Sequence, residues 1–300
     1  MSKNTIYSKA CKQVPGFEQM GETFMRKLVI AGKARSTHEN YLRQLSKLAL
    51  FYNRTPLELE VDELEEYLYH LIQSTTAHSL SSFKHLVYGL RKLFYLFDRE
   101  ELLLSLPSLS RPKKVPVVLS HHEMKQILSA SSRLLERILL GFIYDTGLRI
   151  DEVTNLLIGD VDLHRSQVHI RCSKNNKERY VTMSSHAVRG IQKHLALHSP
   201  ATYLFESPGR KGIPICKSRI RRKLHEAVEK AGIKKQVMVH TLRHTYATHQ
   251  VEAGQNIMAI KEALGHSDIR TTLIYLHIAN LEYPKRFGSL DTLYNKPAHE

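Results

Sequence analysis

Apolar positions recur at helical spacing through the first hundred residues. A helix is predicted over residues 17–31. A second opens at Ser36, where Ser36 and Glu39 have capping-box spacing, and carries Tyr41, Leu45 and Leu48. Thr55 and Glu58 repeat the box, with Pro56 at the first helical position. Asp62 is placed to cap a helix with the stripe Leu64, Tyr67, Leu68, Leu71 and Ile72, and a further stripe runs Phe83, Val87, Leu90, Phe94 and Phe97. Three prolines and three serines then crowd into residues 104–118, which reads as a linker, and a fresh box, Ser120 to Glu123, follows. Two helices are predicted over about 121–130 and 132–146. The pattern next shortens to a period of two around Val168 and Ile170, turns over residues 173–178, and returns through 180–183 as a hairpin. From about 185 to 280 it is mostly helical again.

The expected organisation is mainly α: an all-α N-terminal domain over residues 1–103, a linker over 104–118, an α+β domain with a small antiparallel sheet over 119–280, and a tail over 281–300. Three hundred residues suffice for two cores of that size.

Charge adds a partner to this picture. The chain carries 44 Lys and Arg against 29 Asp and Glu, a net +15, which is the footprint of nucleic-acid binding. No apolar run reaches the roughly 20 residues that span a bilayer, and the first residues lack the apolar core of a signal peptide. Cys11, Cys172 and Cys216 are odd in number and far apart, so a disulfide framework or CxxC metal motif is not expected; a cytoplasmic location is.

Four segments carry candidate chemistry. In TGLRIDEV, residues 146–153, a Thr-Gly turn precedes Arg149, whose guanidinium offers a two-pronged fork to a phosphate; taken alone, a capped helix with an ordinary surface Arg–Glu pair is the better explanation. In HTLRHTYATH, residues 240–249, His240 and Arg243 share a helical face. His240 and His244 have the spacing of the zinc motif HExxH, but Thr241 stands where its glutamate belongs; His249 and His266 nearby leave a structural metal open. In LGHSDIRTTLIY, residues 264–275, Gly265 is placed to end a helix in the left-handed conformation, setting His266 just beyond it. Tyr275 on the next helix has the spacing of a core residue. The fourth is the turn SKNNKER, residues 173–179, with Lys174 near its tip.

Taken together, in the chain order TGLRIDEV, SKNNKER, HTLRHTYATH and LGHSDIRTTLIY, the four segments resemble the tyrosine recombinase (phage integrase) family, and the helical N-terminal unit resembles that family's core-binding domain. The resemblance implies DNA strand cleavage and rejoining through a 3′-phosphotyrosine, with no cofactor and no metal. It implies Tyr275 as nucleophile, Arg149 and Arg243 as phosphate clamps, Lys174 as the acid for the leaving 5′-oxygen, His240 as an aid to proton transfer and His266 as a donor to the phosphate. One departure is the β-turn, where Ser173 and Asn175 flank Lys174 in place of glycines and Lys177 competes for the role. Glu152 matches the supporting acid, with Asp151 second.

DNA contacts are expected from Arg35, Arg43, Lys84, Arg91 and Lys92 in the first unit. In the second they are expected from Lys217, Arg219, Arg221 and Arg222, which open a helix striped with Ile220, Leu224, Ala227 and Ala231. The tail, with Leu281, Phe287, Leu290 and Tyr294, is expected to dock on a neighbouring copy, giving a tetramer on paired DNA sites. Rival readings are a DNA-binding accessory protein of the same fold without catalysis, a type IB topoisomerase sharing the chemistry, and a metal-dependent hydrolase using the histidines.

Overall fold

The computed structural model describes residues 5–32, 35–73, 80–102, 115–171 and 178–279. The chain divides into two compact units, Met1–Lys113 and Lys114–Glu300. Most of the segment read as a linker, the turn bearing Lys174, and the tail over 281–300 lie outside the described residues.

Among the described residues, the regular elements of unit one are all helical: α1 (Ile6–Gln13), α2 (Phe17–Ile30), α3 (Arg35–Tyr52), α4 (Val61–Gln73), α5 (Leu80–Leu96) and a short 3-10 turn at Glu100–Leu102. α3 packs against α1, α2 and α5. Phe17, Phe24, Leu28, Leu45, Leu48, Val87 and Phe94 are fully buried between them, as apolar stripes on neighbouring helices require. α1 is short, and its apolar positions, Ile6, Tyr7, Ala10 and Cys11, span little more than one turn, too few to mark a helix by periodicity. Its start is fixed by the Thr5 side chain, which accepts the Ser8 N–H at 3.2 Å.

Three expected caps are corrected. Ser36 lies inside α3, and Glu39 pairs with the Arg35 side chain at 3.1 Å. Glu58 does accept the Thr55 N–H at 3.0 Å, but Pro56 sits in a turn, because α4 begins only a few residues on at Val61. Asp62 is already inside α4, and Glu63 takes the capping contact instead, accepting the Glu60 N–H at 2.9 Å. Ile72, expected in the α4 stripe, is 66% exposed.

Unit two begins with α6 (His121–Ala130), whose Ser120–Glu123 capping box forms as expected: the Glu123 N–H reaches the Ser120 hydroxyl at 3.1 Å and the Ser120 N–H reaches Glu123 at 2.7 Å. α7 (Leu134–Thr146) and α8 (Ile150–Thr154) follow. Strands β1 (Val161–Asp162), β2 (Gln167–Ile170) and β3 (Arg179–Thr182) form an antiparallel sheet in sequence order, with Val168 opposite Val181 and Ile170 opposite Arg179. The helix α9 (Ser185–His198) leads to a second hairpin, β4 (Glu206–Ser207) with β5 (Arg210–Pro214), inside a stretch expected to be helical. Four helices complete the unit: α10 (Lys217–Lys230), α11 (Val239–Glu252), α12 (Ile257–Leu264) and α13 (Arg270–Ile278). Its larger core joins Ile127, Phe142, Val168, Val181, Ile191 and Leu224; a smaller one joins Ala247, Val251, Ile260, Leu264 and Tyr275. No helix among the described residues is long and apolar enough to cross a membrane.

α11 is buried around most of its circumference, including Thr241, Arg243, Thr245, Thr248 and His249. Buried polar groups need partners. Thr245 Oγ1 accepts the Leu119 N–H at 3.1 Å, and His249 Nε2 donates to the Leu119 carbonyl at 3.0 Å, so α11 clamps the chain just before α6.

Candidate active site

Arg149 stands at the N-cap of α8, where the α7 helix ends on Gly147 with φ +60°. That left-handed turn lies against α11, where Gly147 meets Arg243 and Tyr246. The Arg149 guanidinium donates from Nη1 to Glu152 Oε1 at 2.9 Å and from Nη2 to the Gly265 carbonyl at 3.2 Å. Arg243, on α11, is 1% exposed. It donates to the Gly147 carbonyl at 2.8 Å and to the Leu264 carbonyl at 2.5 Å, while its Nε–H is a buried donor with no acceptor. Gly147 thus couples the two arginines: it precedes one by two residues and holds the other through its carbonyl.

A Cβ at Gly147 would overlap the Tyr246 ring, in a backbone conformation that disfavours side chains. Gly147→Ala is therefore expected to lower stability by about 2 kcal/mol. A urea midpoint unchanged from wild type would remove this constraint.

Glu152 is the hub of the site. Its carboxylate accepts the Arg149 backbone N–H at 2.8 Å, the Arg149 side chain, and both Nη groups of Arg179, at 3.0 and 2.8 Å. Burial pushes its carboxyl up, but Arg179 and Arg149 outweigh burial and hold it below the ordinary glutamate value. Sequence reasoning missed Arg179, which also donates to the Ala263 carbonyl at 2.8 Å. The signal was available: Arg179 shares a strand face with Val181, so its side chain faces inward and requires a buried partner. Asp151, the second choice for the supporting role, is instead an exposed partner of Lys217.

His240 and His244 lie one turn apart on α11, their rings edge to face at 4.4 Å between centroids. Desolvation and the charges of Arg243 and Arg149 hold His240 below its ordinary value. His266 follows α12, which ends on Gly265 with φ +63°, and its N–H reaches back to the Lys261 carbonyl at 3.1 Å. Its Nδ1 is tied to the buried Thr272 hydroxyl at 2.9 Å. Burial, then Arg243 and Arg149, hold His266 down to about 3, so its ring is neutral at physiological pH.

Tyr275 closes the site. It is 2% exposed, as its core spacing implied, yet its hydroxyl is bonded to His244 Nδ1 at 2.9 Å. The His266 ring is nearly parallel to the phenol, 16° between planes at 6.5 Å. Burial raises the Tyr275 hydroxyl above its ordinary value, against the opposing pull of Arg243 and Arg149. His244 was not among the expected site residues, although it lies one turn from His240 on the same face.

Arg149, Glu152, His240, Arg243, His266 and Tyr275 are therefore brought together; Lys174 lies outside the described residues. Among the described residues, one further group has the spacing of a metal site. His121, His249 and Glu252 place ligand atoms within 4.8 Å of one another. But His249 Nε2 carries the proton given to Leu119, and its Nδ1 accepts the Tyr144 hydroxyl at 2.8 Å, so no lone pair is left for an ion.

The expected DNA-contacting residues are dispersed. Arg43, Arg221 and Arg222 are exposed, Arg222 lying 3.6 Å from Glu226, and Arg35 pairs with Glu39. Lys84 and Arg219 are half-buried. Arg91 lies over Tyr88 at 5.9 Å and Lys92 over Tyr95 at 4.6 Å. In α10, Ile220, Leu224 and Ala227 are buried as expected, which turns Arg221 and Arg222 outward.

Comparison with known proteins places both units in one family. Residues 117–282 match the phage integrase family, and residues 21–102 match the phage integrase N-terminal SAM-like domain. The tyrosine recombinase XerA of Pyrococcus horikoshii is 31% identical over 262 residues, covering 86% of this chain and 88% of that one. A tyrosine recombinase of Thermosipho africanus is 28% identical over 262 residues, covering 83% and 91%. Among solved structures, a XerA recombinase is 29% identical with a TM-score of 0.52, covering 88% of this chain and 94% of that one. A lambda integrase dimer bound to a core site, 17% identical with a TM-score of 0.72 over 90% and 98%, shares the fold. The mainly α architecture, the site around Tyr275 and the match across both units converge, and the chain belongs to the phage integrase family of tyrosine recombinases.

Proposed function

We propose that this enzyme recombines duplex DNA at specific sites by transferring one strand at a time onto Tyr275. Tyr275 Oη attacks the scissile phosphorus, the bond from phosphorus to the 5′-oxygen breaks, and a 3′-phosphotyrosine remains. Arg149 and Arg243 hold the non-bridging oxygens as charge grows on them, and His266 adds a neutral hydrogen bond. Lys174 protonates the departing 5′-oxygen. A 5′-hydroxyl from the partner strand then attacks the phosphotyrosine and reseals the DNA, so the bond energy is conserved and no cofactor enters. The observation that carries this reading is a buried guanidinium donor without an acceptor, on Arg243, whose charge acts on the buried Tyr275 hydroxyl. A single phosphate satisfies the first and is the substrate of the second. Incubation with a nicked suicide substrate is expected to trap a covalent protein–DNA adduct on the peptide containing Tyr275.

Binding is assigned to the exposed arginines of α10 and to Arg43 and the basic residues of α5 in the first unit, as phosphate contacts whose loss flattens the salt dependence of affinity. The active assembly is a tetramer on paired sites, with residues 281–300 docked on the neighbouring copy. Deleting 281–300 is expected to abolish recombination between two sites while preserving binding to one. Full recombination by the truncated protein would end the docking assignment.

A further inference from the structure

A tyrosine attacking phosphorus must shed its hydroxyl proton as the new bond forms. Phenol ionises near 10 in water, and burial raises Tyr275 further, so little phenolate is available at neutral pH. A base within hydrogen-bond reach of Oη is therefore required. The family resemblance points to His240 for proton movement near the tyrosine. The geometry points elsewhere.

We propose that His244 is the base of the cleavage step: its Nδ1, 2.9 Å from Tyr275 Oη, takes the phenolic proton as the Oη–phosphorus bond forms. The assignment rests on Tyr275 being the nucleophile. The step balances. The Oη–H bond breaks, its proton moves to Nδ1 to give an imidazolium, and the 5′-oxygen leaves with a separate proton from the acid. In rejoining, the partner strand's 5′-hydroxyl returns its proton to the acid group as it bonds to phosphorus, the Oη–phosphorus bond breaks, and the imidazolium returns its proton to Oη.

Three features of the site fit this role. First, the side chains around the phenol divide the work. His266 is committed through Nδ1 to Thr272 and presents its ring to the phenol, and His240 meets the edge of His244; His244 is the group bonded to Oη. Second, Arg243 and His244 are consecutive on α11, about 100° apart around the helix, so one turn presents both a phosphate clamp and a base to adjoining sides of the pocket. Third, His244 is neutral without DNA. Burial, followed by His240 and Arg243, holds it down to about 4. The groups bearing on it are His240 and Arg243 on its own helix, Tyr275 on α13 and His266 in the turn before α13. A phosphate bound at Arg243 offsets the guanidinium charge, the smallest of these three effects on the ring.

The experiment is single-turnover adduct formation on a nicked suicide duplex, read against pH, with binding measured in parallel by gel shift. His244→Gln retains a hydrogen-bonding partner for Oη but accepts no proton. It is expected to bind DNA as the wild type does and to form adduct about 10²-fold more slowly. Its rate should climb with pH where the wild type has levelled off. Free imidazole should restore part of the rate to His244→Ala, which separates lost chemistry from lost folding. A duplex with sulfur in place of the scissile 5′-oxygen needs no proton on its leaving group. It should rescue Lys174→Ala and leave His244→Gln slow. Cleavage by His244→Gln within twofold of wild type overturns the proposal. So does rescue of that variant by the sulfur substrate, and so does a loss of binding that accounts for its loss of cleavage. An adduct formed by Tyr275→Phe instead removes the nucleophile reading on which the proposal stands, a distinct result in a distinct variant.

Discussion

Tyr275→Phe is expected to bind its DNA site with wild-type affinity and to form no detectable covalent adduct. The substitution removes one atom. The ring keeps its place among Ala247, Val251, Ile260 and Leu264, so the small core of α11, α12 and α13 is preserved. What is lost in the fold is the hydrogen bond to His244 Nδ1, worth about 1 kcal/mol. The ring of His244 is only half-buried, so water can replace the hydroxyl. Thermal unfolding should therefore shift by only a few degrees. Against that small structural cost stands the whole proposed reaction, in which Oη is the atom that bonds to phosphorus. The measurement is a denaturing gel of the suicide-substrate reaction beside a gel shift of the same preparation. An adduct that survives in Tyr275→Phe places the nucleophile elsewhere and ends the assignment.

The same residue shows how much was legible in the sequence. By periodicity Tyr275 is a core position; by its motif it is a nucleophile. The structure shows the first, a buried ring, and leaves its one polar edge bonded to His244, so the two readings are compatible. The long helices were equally legible, since their apolar stripes are continuous. The caps at Ser36, Thr55 and Asp62 were not. A Ser or Thr with Glu three residues later closes an isolated turn as readily as a helix start, and only the packing of the succeeding residues decides between them. The β4–β5 hairpin is too short for its pattern to compete with the helical positions around it. In the site, Glu152 was recognised but its partner Arg179 was not. A charge on the inward face of a strand contradicts its neighbours' pattern, and its meaning appears only once α8 is folded against it. His244 was passed over for a related reason. Spacing along α11 groups it with His240, but whether either ring meets Tyr275 depends on how α13 crosses α11, which no local pattern encodes.

Arg149→Lys is expected to slow adduct formation by 10²–10³-fold while leaving the affinity for DNA and its salt dependence nearly unchanged. Removing one fixed donor to a developing oxyanion costs about that much, or ~3–4 kcal/mol of barrier. The charge is conserved, so the counterion release that drives binding is conserved too. What lysine cannot conserve is the plane. Arg149 holds Glu152 with one nitrogen and the Gly265 carbonyl with another, and this fixes the guanidinium so that its remaining N–H bonds are set before the phosphate arrives. An ammonium on a flexible stem makes one such contact at a time and must reorganise to meet the phosphate. The fold should tolerate the change, because Arg179 continues to hold both oxygens of Glu152. Arg243 remains committed to the carbonyls of Gly147 and Leu264 and does not take over. The loss should therefore appear in the rate of the chemical step and not in stability, which a urea midpoint and a single-turnover time course on one preparation separate. Cleavage by Arg149→Lys within threefold of wild type would reduce Arg149 to a positive charge and take the fork out of the mechanism.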